Sequence, residues 1–356
     1  MSALSNKSGF SRIHFISYND ADEARAKLAA GMDVFIRQGN AGKQLLAILP
    51  AVNRDDISRF SLCTDDCCAA DILNFGHIDR ILAQAAAAGV PAADAVRMAT
   101  LNPAEHYGLN CGAIERGRQA DVVLVPDLEN FKPLRVYKRG VLVAEQGKAL
   151  FNAVPADMSK VTNTLRMPPV TADKLKLTGA ARRYALKMQA GSLIKELAPF
   201  KEGLPKLCVA ERHKNTGGTG VCALDGYGIK GGAIALSISH DAHNVVCAGD
   251  SDADMRLAIN SLLSMGGGIC AVKDGKLALS LALPVAGLMS CAPAEQTAAK
   301  MTAINDFCKK QLRVNTEAEP VMALSFLALT VIPHACLTDR GLFDADKFRF
   351  IQDAAV

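Results

Sequence analysis

Up to about residue 115 the chain alternates short apolar runs with helical stretches, and at Gly117 that alternation stops. Strands that alternate with helices pair in parallel and are covered by the helices between them. Ile13-His14-Phe15-Ile16-Ser17 reads as a strand, and Asn19 or Asp20 can cap a helix over Ala21 to Ala30. Met32 to Arg37 predicts a second strand and Gly42 to Leu49 a second helix. Phe60 to Thr64 predicts a third strand, ending at Asp65-Asp66. Beyond it Ile78, Ile81, Leu82 and Ala85 share one helical face.

After Gly117 the period changes to two. Ala120 to Val125 and Arg135 to Glu145 predict strands, the second folded at Arg139-Gly140. Val136, Lys138, Val141 and Val143 alternate as in a half-exposed antiparallel sheet. Residues 151–183 carry Pro155, Pro168 and Pro169 and read as a linker. From Tyr184 a further region mixes strands (207–210, 269–273) with helices (252–265, 294–310). The expected organisation is 1–115, 116–150, the linker 151–183, and 184–356. For 356 residues, at about 150 per domain, two or three domains are expected.

Charge excludes some partners. Lys plus Arg number 40 and Asp plus Glu 36, a net +4 too weak to imply nucleic acid. Eleven cysteines, an odd count without a regular framework, read as reduced thiols of a cytoplasmic protein. The opening MSALSNKSGFSR lacks the apolar stretch of a signal peptide. The longest apolar run, Leu277 to Met289, holds Ser280, Pro284 and Gly287 and is too short for a membrane span. These features predict a soluble protein with no membrane partner.

Asp65-Asp66 is the sharpest chemical feature before Gly117. A carboxylate at the C-terminal end of a parallel strand lies where barrel enzymes assemble their sites. There it can bind a divalent metal and take a proton from water. Equally, one of the two can cap the following helix, and spacing alone favours the cap. His240-Asp241-Ala242-His243-Asn244 follows the apolar run Ala233 to Ile238; it suits either a metal or a polar turn. His77, in Gly76-His77-Ile78-Asp79, reads as a packing or capping residue. Cys63, Cys67 and Cys68 form no C-x-x-C pair and read as small buried side chains. The runs Gly217 to Gly220 and Gly266 to Gly268 lack nucleotide-binding spacing and read as tight turns.

Taken as wholes, several segments resemble the bacterial adenine deaminase family of the amidohydrolase superfamily. They are LCTDD (62–66), GHID (76–79), MATLNPAEHYGL (98–109) and GAIERGRQADVVLV (112–125). The match continues in GGAIALSISHDAHNVV (231–246), MGGGICAVKDGKLALSLALPVAGLMS (265–290) and LSFLALTVIPHACLTDRGLFDADKF (324–348). The resemblance implies an α/β chain: part of an amidohydrolase (β/α) barrel, strands of a small β-sandwich, and a C-terminal α/β domain. It implies hydrolysis of adenine to hypoxanthine and ammonia with a divalent metal, manganese or iron. It makes Asp65 a metal ligand and proton shuttle. Asp66 becomes an outer or capping residue, and His77, His240, Asp241 and His243 become candidates on the substrate side.

The departures from the family are as informative. A binuclear centre of this type needs an H-x-H pair, and none exists among His14, His77, His106, His213, His240, His243 and His334. The family's His-Glu position falls at Ile16-Ser17, with His14 two residues out of register. Arg37-Gln38-Gly39-Asn40-Ala41 loses the carboxylate of an R-E-G-S-A-type segment, and Cys67 replaces a basic residue. Only 64 residues precede Asp65, and a barrel unit takes about 30. The expectation is therefore a C-terminal portion whose binuclear site is incomplete and whose isolated chain is inactive. It would be completed by an N-terminal fragment or sit in a homo-oligomer. A non-catalytic purine-binding or assembly protein, and another cyclic amidohydrolase, are the alternatives.

Overall fold

The structure is a computed structural model describing residues 14–15, 20–39, 42–154, 156–189, 192 and 194–351. The strand expected over Ile13 to Ser17 is described only at His14–Phe15; Asn19, the Ile16-Ser17 pair and Asn40-Ala41 lie outside the described residues. The chain divides into two units, Met1–Pro155 and Ala156–Val356, and both are of mixed α/β type.

In the first unit β1 (His14–Phe15), β2 (Asp33–Arg37) and β3 (Phe60–Cys63) are parallel and adjacent in that order. Between β1 and β2 runs α1 (Ala21–Ala29), whose N-terminus is capped by Asp20 accepting from the Glu23 N–H at 2.9 Å. Asp33 to Ile36 are all buried in β2, the continuous burial of a strand covered on both faces. The helix expected over Gly42 to Leu49 is shorter, α2 (Leu45–Ile48) followed by a 3-10 turn through Pro50. After β3 come α3 (Ala69–Phe75), α4 (Ile78–Ala87), α5 (Ala92–Ala99) and α6 (Leu101–His106). Ile81, Ala85, Ala95 and Met98 pack with Val34, Ile36, Phe60 and Leu62. The helical face read from Ile78, Ile81, Leu82 and Ala85 is the face that enters this core.

A buried polar group closes the end where β2 and β3 begin. Asp33 accepts from Arg59 Nε at 2.5 Å and lies 2.9 Å from His106 Nδ1. Asn102 Nδ2 donates to the carbonyls of Ile57 (2.7 Å) and Phe60 (2.6 Å). The NPAEH residues of the 98–109 segment thus tie α6 to the strands.

A second sheet of the same unit holds β4 (Val122–Leu124), β5 (Arg135–Lys138), β6 (Val141–Glu145) and β7 (Lys148–Ala149), antiparallel in that order. The β5–β6 hairpin turns at Arg139 and Gly140, both at positive φ, as the sequence predicts. No residue of these four strands is buried; Val123 is 52% and Val141 64% exposed. Apolar side chains therefore sit on the surface of this sheet.

The second unit is built on eight strands in the order β15-β14-β12-β13-β10-β11-β8-β9. They are β8 (Tyr184–Met188), β9 (Lys195–Pro199), β10 (Lys206–Ala210), β11 (Thr219–Asp225), β12 (Gly232–Leu236), β13 (Val245–Gly249), β14 (Gly268–Lys273) and β15 (Lys276–Ala282). Only the β8–β11 pair is parallel. Alternation divides the central strands between two cores. Cys208, Ala235, Cys247 and Cys270 pack with Met255, Ile259 and Leu262 of α7 (Asp252–Met265). Leu207, Leu236, Val246 and Ile269 pack with residues of α8 (Ala294–Gln311), α9 (Pro320–Ser325) and the hairpin β16 (Ala335–Thr338)–β17 (Gly341–Asp344). A last short strand, β18 (Arg349–Phe350), pairs with β17.

The stretch 151–183 differs from the linker read in the sequence. Leu165, Met167, Val170 and Leu175 are buried on the α7 side, and Ala180 and Ala181 on the other. Pro168 and Pro169 forbid regular helix there, but they do not prevent irregular backbone from delivering apolar side chains to a core. Among the described residues no helix is long and apolar enough to cross a membrane.

Candidate functional site

Asp65 stands two residues beyond β3, at the C-terminal ends of the parallel strands, with φ +70°. Arg37, the last residue of β2, donates from Nη1 to Asp65 Oδ2 at 2.8 Å, and both side chains are part-buried. The loops leaving β2 and β3 touch through backbone: a Cβ on Gly39 would lie 2.6 Å from the Asp66 carbonyl oxygen. Only glycine allows that approach. The Arg37 guanidinium also packs over Gly42, where a Cβ would collide with it. Arg37 was not among the candidate residues, although its place at the end of the neighbouring strand was a signal that it would meet Asp65.

The other candidates around Asp65 do not join it. Helix α3 begins after Cys68 and has no side-chain cap, so neither Asp65 nor Asp66 serves as its cap. The two residues Cys67 and Cys68 carry the helix start beyond their reach. His77 is exposed, and its side chain does not cap α4; instead its backbone N–H donates to Asp79 Oδ1 at 2.6 Å. Cys63, Cys67 and Cys68 are part-buried and form no disulfide among the described residues. Burial, then the Asp65 charge, push the Cys63 thiol up to about 11 despite Arg37, so it stays protonated at neutral pH. Among the described residues no three His, Cys, Asp or Glu side chains converge as metal ligands. An open cleft of about 360 Å³ lies instead by Leu49, Val52, Arg54 and Pro91, toward the end where the strands begin.

The second unit gathers a different group. Register places Ala210 opposite Val245 and Leu236 opposite Ile269, so the loops after β10 and β12 and those before β13 and β14 meet at one end of the sheet. The Ser237 hydroxyl accepts from the Gly268 N–H (2.8 Å) and donates to the Gly287 carbonyl (2.6 Å). This joins the end of β12, two residues before SHDAHN, to the GGG and LPVAGLMS segments, which are remote in sequence. Arg212, 2% exposed, donates from Nε to the His243 carbonyl and from Nη1 to the Ala286 carbonyl at 3.1 Å. His240 stacks on Phe326 at 4.4 Å between ring centroids, and its ring lies 6.1 Å from that of His243. Asp241 is exposed. Among the described residues His240, Asp241 and His243 are not gathered with one another into a three-ligand metal group. Arg212 is a residue that sequence reasoning missed: nothing in its local pattern marks a buried cation.

Glu211 sets the shape of the loop after β10. Its carboxylate accepts from the N–H groups of His213 (2.5 Å), Lys214 (2.7 Å) and Thr216 (3.0 Å), and from the Thr216 hydroxyl (3.0 Å). Burial alone would raise its pKa, but these donors prevail and hold it down at about 2. A depressed carboxylate stabilises the fold fully above its unfolded value of 4.5, and that contribution fades as pH falls toward about 2. Denaturant midpoints should therefore fall more steeply across this window in the native chain than in Glu211→Gln. Parallel pH curves for the two proteins would contradict this.

Comparison with known proteins adds the family context. Residues 177–349 match the adenine deaminase C-terminal domain and residues 10–143 the amidohydrolase family. An adenine deaminase of Nitratidesulfovibrio vulgaris (strain Hildenborough) is 42% identical over 345 residues, covering 92% of this chain and 60% of that protein. Adenine deaminase 2 of Desulfotalea psychrophila is 38% identical, covering 93% and 60%. Adenine deaminase 2 of Carboxydothermus hydrogenoformans is 39% identical with the same coverage. The chain thus spans about three-fifths of the length of these curated relatives.

Proposed function

We propose that this chain, similar to adenine deaminases along most of its length, is of that family of the amidohydrolases and forms part of an enzyme hydrolysing adenine to hypoxanthine and ammonia. The observation that carries the reading is Asp65, at the C-terminal ends of parallel strands and oriented by Arg37. We take the three strands as neighbouring staves of an amidohydrolase barrel, where that end faces substrate. In this reading Asp65 takes a proton from the attacking water and passes it toward the departing C6 amine. Arg37 is the positioning residue that fixes the carboxylate.

Amidohydrolases generally use divalent metals, and manganese or iron is our reading for this one. The described residues do not fit that group, since Arg37 engages Asp65 and no three ligands converge. The remaining ligands then come from a polypeptide corresponding to the two-fifths of the relatives that this chain does not span. Eleven cysteines with no disulfide among the described residues support a cytosolic setting. The test is co-expression with the N-terminal part of the N. vulgaris relative. A stable complex that releases ammonia from adenine, and loses this with Asp65→Ala, supports the proposal. A stable complex with no turnover refutes it.

A second reading is favoured by the same ion pair. With Asp65 closed by Arg37, the chain can act as a non-catalytic purine-binding or assembly protein. Adenine binding by the chain alone, together with a silent complex, would select it.

A further inference from the structure

The loop cluster of the second unit carries a charge that its own residues leave uncompensated. Arg212 is 2% exposed, yet among the described residues it makes no ion pair. Its two acceptors are backbone carbonyls, which satisfy N–H groups without supplying negative charge. The nearby carboxylates are engaged or exposed: Glu211 is saturated by its own loop, Asp339 accepts from Asn244 Nδ2 at 3.3 Å, and Asp241 is exposed. A buried cation without an anion is unfavourable, because the low-dielectric surroundings do not replace the water it gave up. Burial lowers the Arg212 pKa, the electrostatic mark of that cost.

Three buried polar atoms in the adjoining loop also have no hydrogen-bond partner among the described residues: Ser239 Oγ, His243 Nδ1 and Asn244 Oδ1. Ser239 is fully buried and Asn244 6% exposed. All three belong to the loop whose His243 carbonyl Arg212 holds. Ordered water could satisfy the hydroxyl, the imidazole and the amide oxygen, but it cannot neutralise the guanidinium. An oxyanion answers the guanidinium charge and can accept from the hydroxyl and the imidazole, while Asn244 Oδ1, itself an acceptor, is left to water. Guanidinium with hydroxyl and imidazole donors is a donor set for oxyanions. Adenine is neutral and would leave the charge as it stands.

We infer that the loops around Arg212, Ser239 and His243 form a binding site for a small oxyanion, a phosphate or carboxylate group, distinct in chemistry from adenine. Gly287 belongs to the same arrangement: it lies at φ +72°, and a Cβ there would lie 2.7 Å from Arg212 Nη1. A side chain at that position would displace the guanidinium.

The inference does not rest on the deaminase reading, and its test uses no turnover. Inorganic phosphate is titrated into the full chain by calorimetry, at ionic strength held constant with chloride, and thermal unfolding is followed in parallel. Saturable binding is expected, with a Tm rise of about 3 °C at roughly tenfold over Kd. Ser239→Ala removes only a hydroxyl without a protein partner, so it should fold and weaken phosphate about tenfold. His243→Phe should weaken it similarly, and Arg212→Met should abolish it. Acetate that competes with phosphate would identify a carboxylate-compatible site, and acetate that does not would restrict the site to phosphate. No saturable binding up to about 50 mM phosphate, where an oxyanion site should fill, would overturn the inference. So would phosphate affinity unchanged in both Ser239→Ala and His243→Phe, or binding of adenine in place of phosphate.

Discussion

Incubated alone with adenine and manganese or iron, the purified chain should release no more ammonia than a metal-only blank. The expected deficit relative to a complete deaminase is at least about a millionfold, the lower range of enzymatic acceleration. Water at neutral pH is a poor nucleophile and needs both activation and a proton acceptor at the reacting carbon. The described residues offer the acceptor, Asp65, but Arg37 already occupies one carboxylate oxygen. They offer no converging ligand set for a metal. The thiols two residues to either side, Cys63 and Cys67, are both pushed up, first by burial. Ammonia release above the blank that disappears with Asp65→Ala would show that this chain completes a site by itself.

Asp33→Ala should be the most destabilising substitution in the first unit, by about 3–5 kcal/mol. Asp33 faces the Arg59 guanidinium and the buried His106 ring, and its loss leaves both without their acceptor. At roughly 2–4 °C per kcal/mol for a unit of this size, the unfolding transition should fall by about 10 °C. Asp65→Asn makes the contrast. Its ion pair is about one-third exposed on the Asp65 side and one-fifth on the Arg37 side, so stability should change by less than about 1 kcal/mol. Calorimetry of the two variants tests whether the two ends of the strands differ in what they contribute to stability. Equal losses would erase that distinction.

Local signals carried much of this structure. The Asp20 cap, the Ile78–Ala85 face and the Arg139-Gly140 hairpin each depend on neighbours within a few residues, and each forms where the pattern places it. What the sequence concealed was set by contacts between distant segments. Residues 165–181 have a linker's prolines, but packing against the two faces of the central sheet turns their apolar residues into core. Asp66 has a capping residue's composition, but the helix begins too late for it. Arg37 and Arg212 are unremarkable in sequence because their roles depend on partners 28 and 31 residues away. Asp65 was legible at the end of its strand; the cation that holds it was not.

The most direct measurement is the divalent metal retained by the purified chain alone. After dialysis against a slight excess of manganese or ferrous ion, elemental analysis should find well below one ion per chain. The same value should be found for Asp65→Ala, because Asp65 lacks companion ligands among the described residues. One or two ions held tightly per native chain, and lost on Asp65→Ala, would contradict the account.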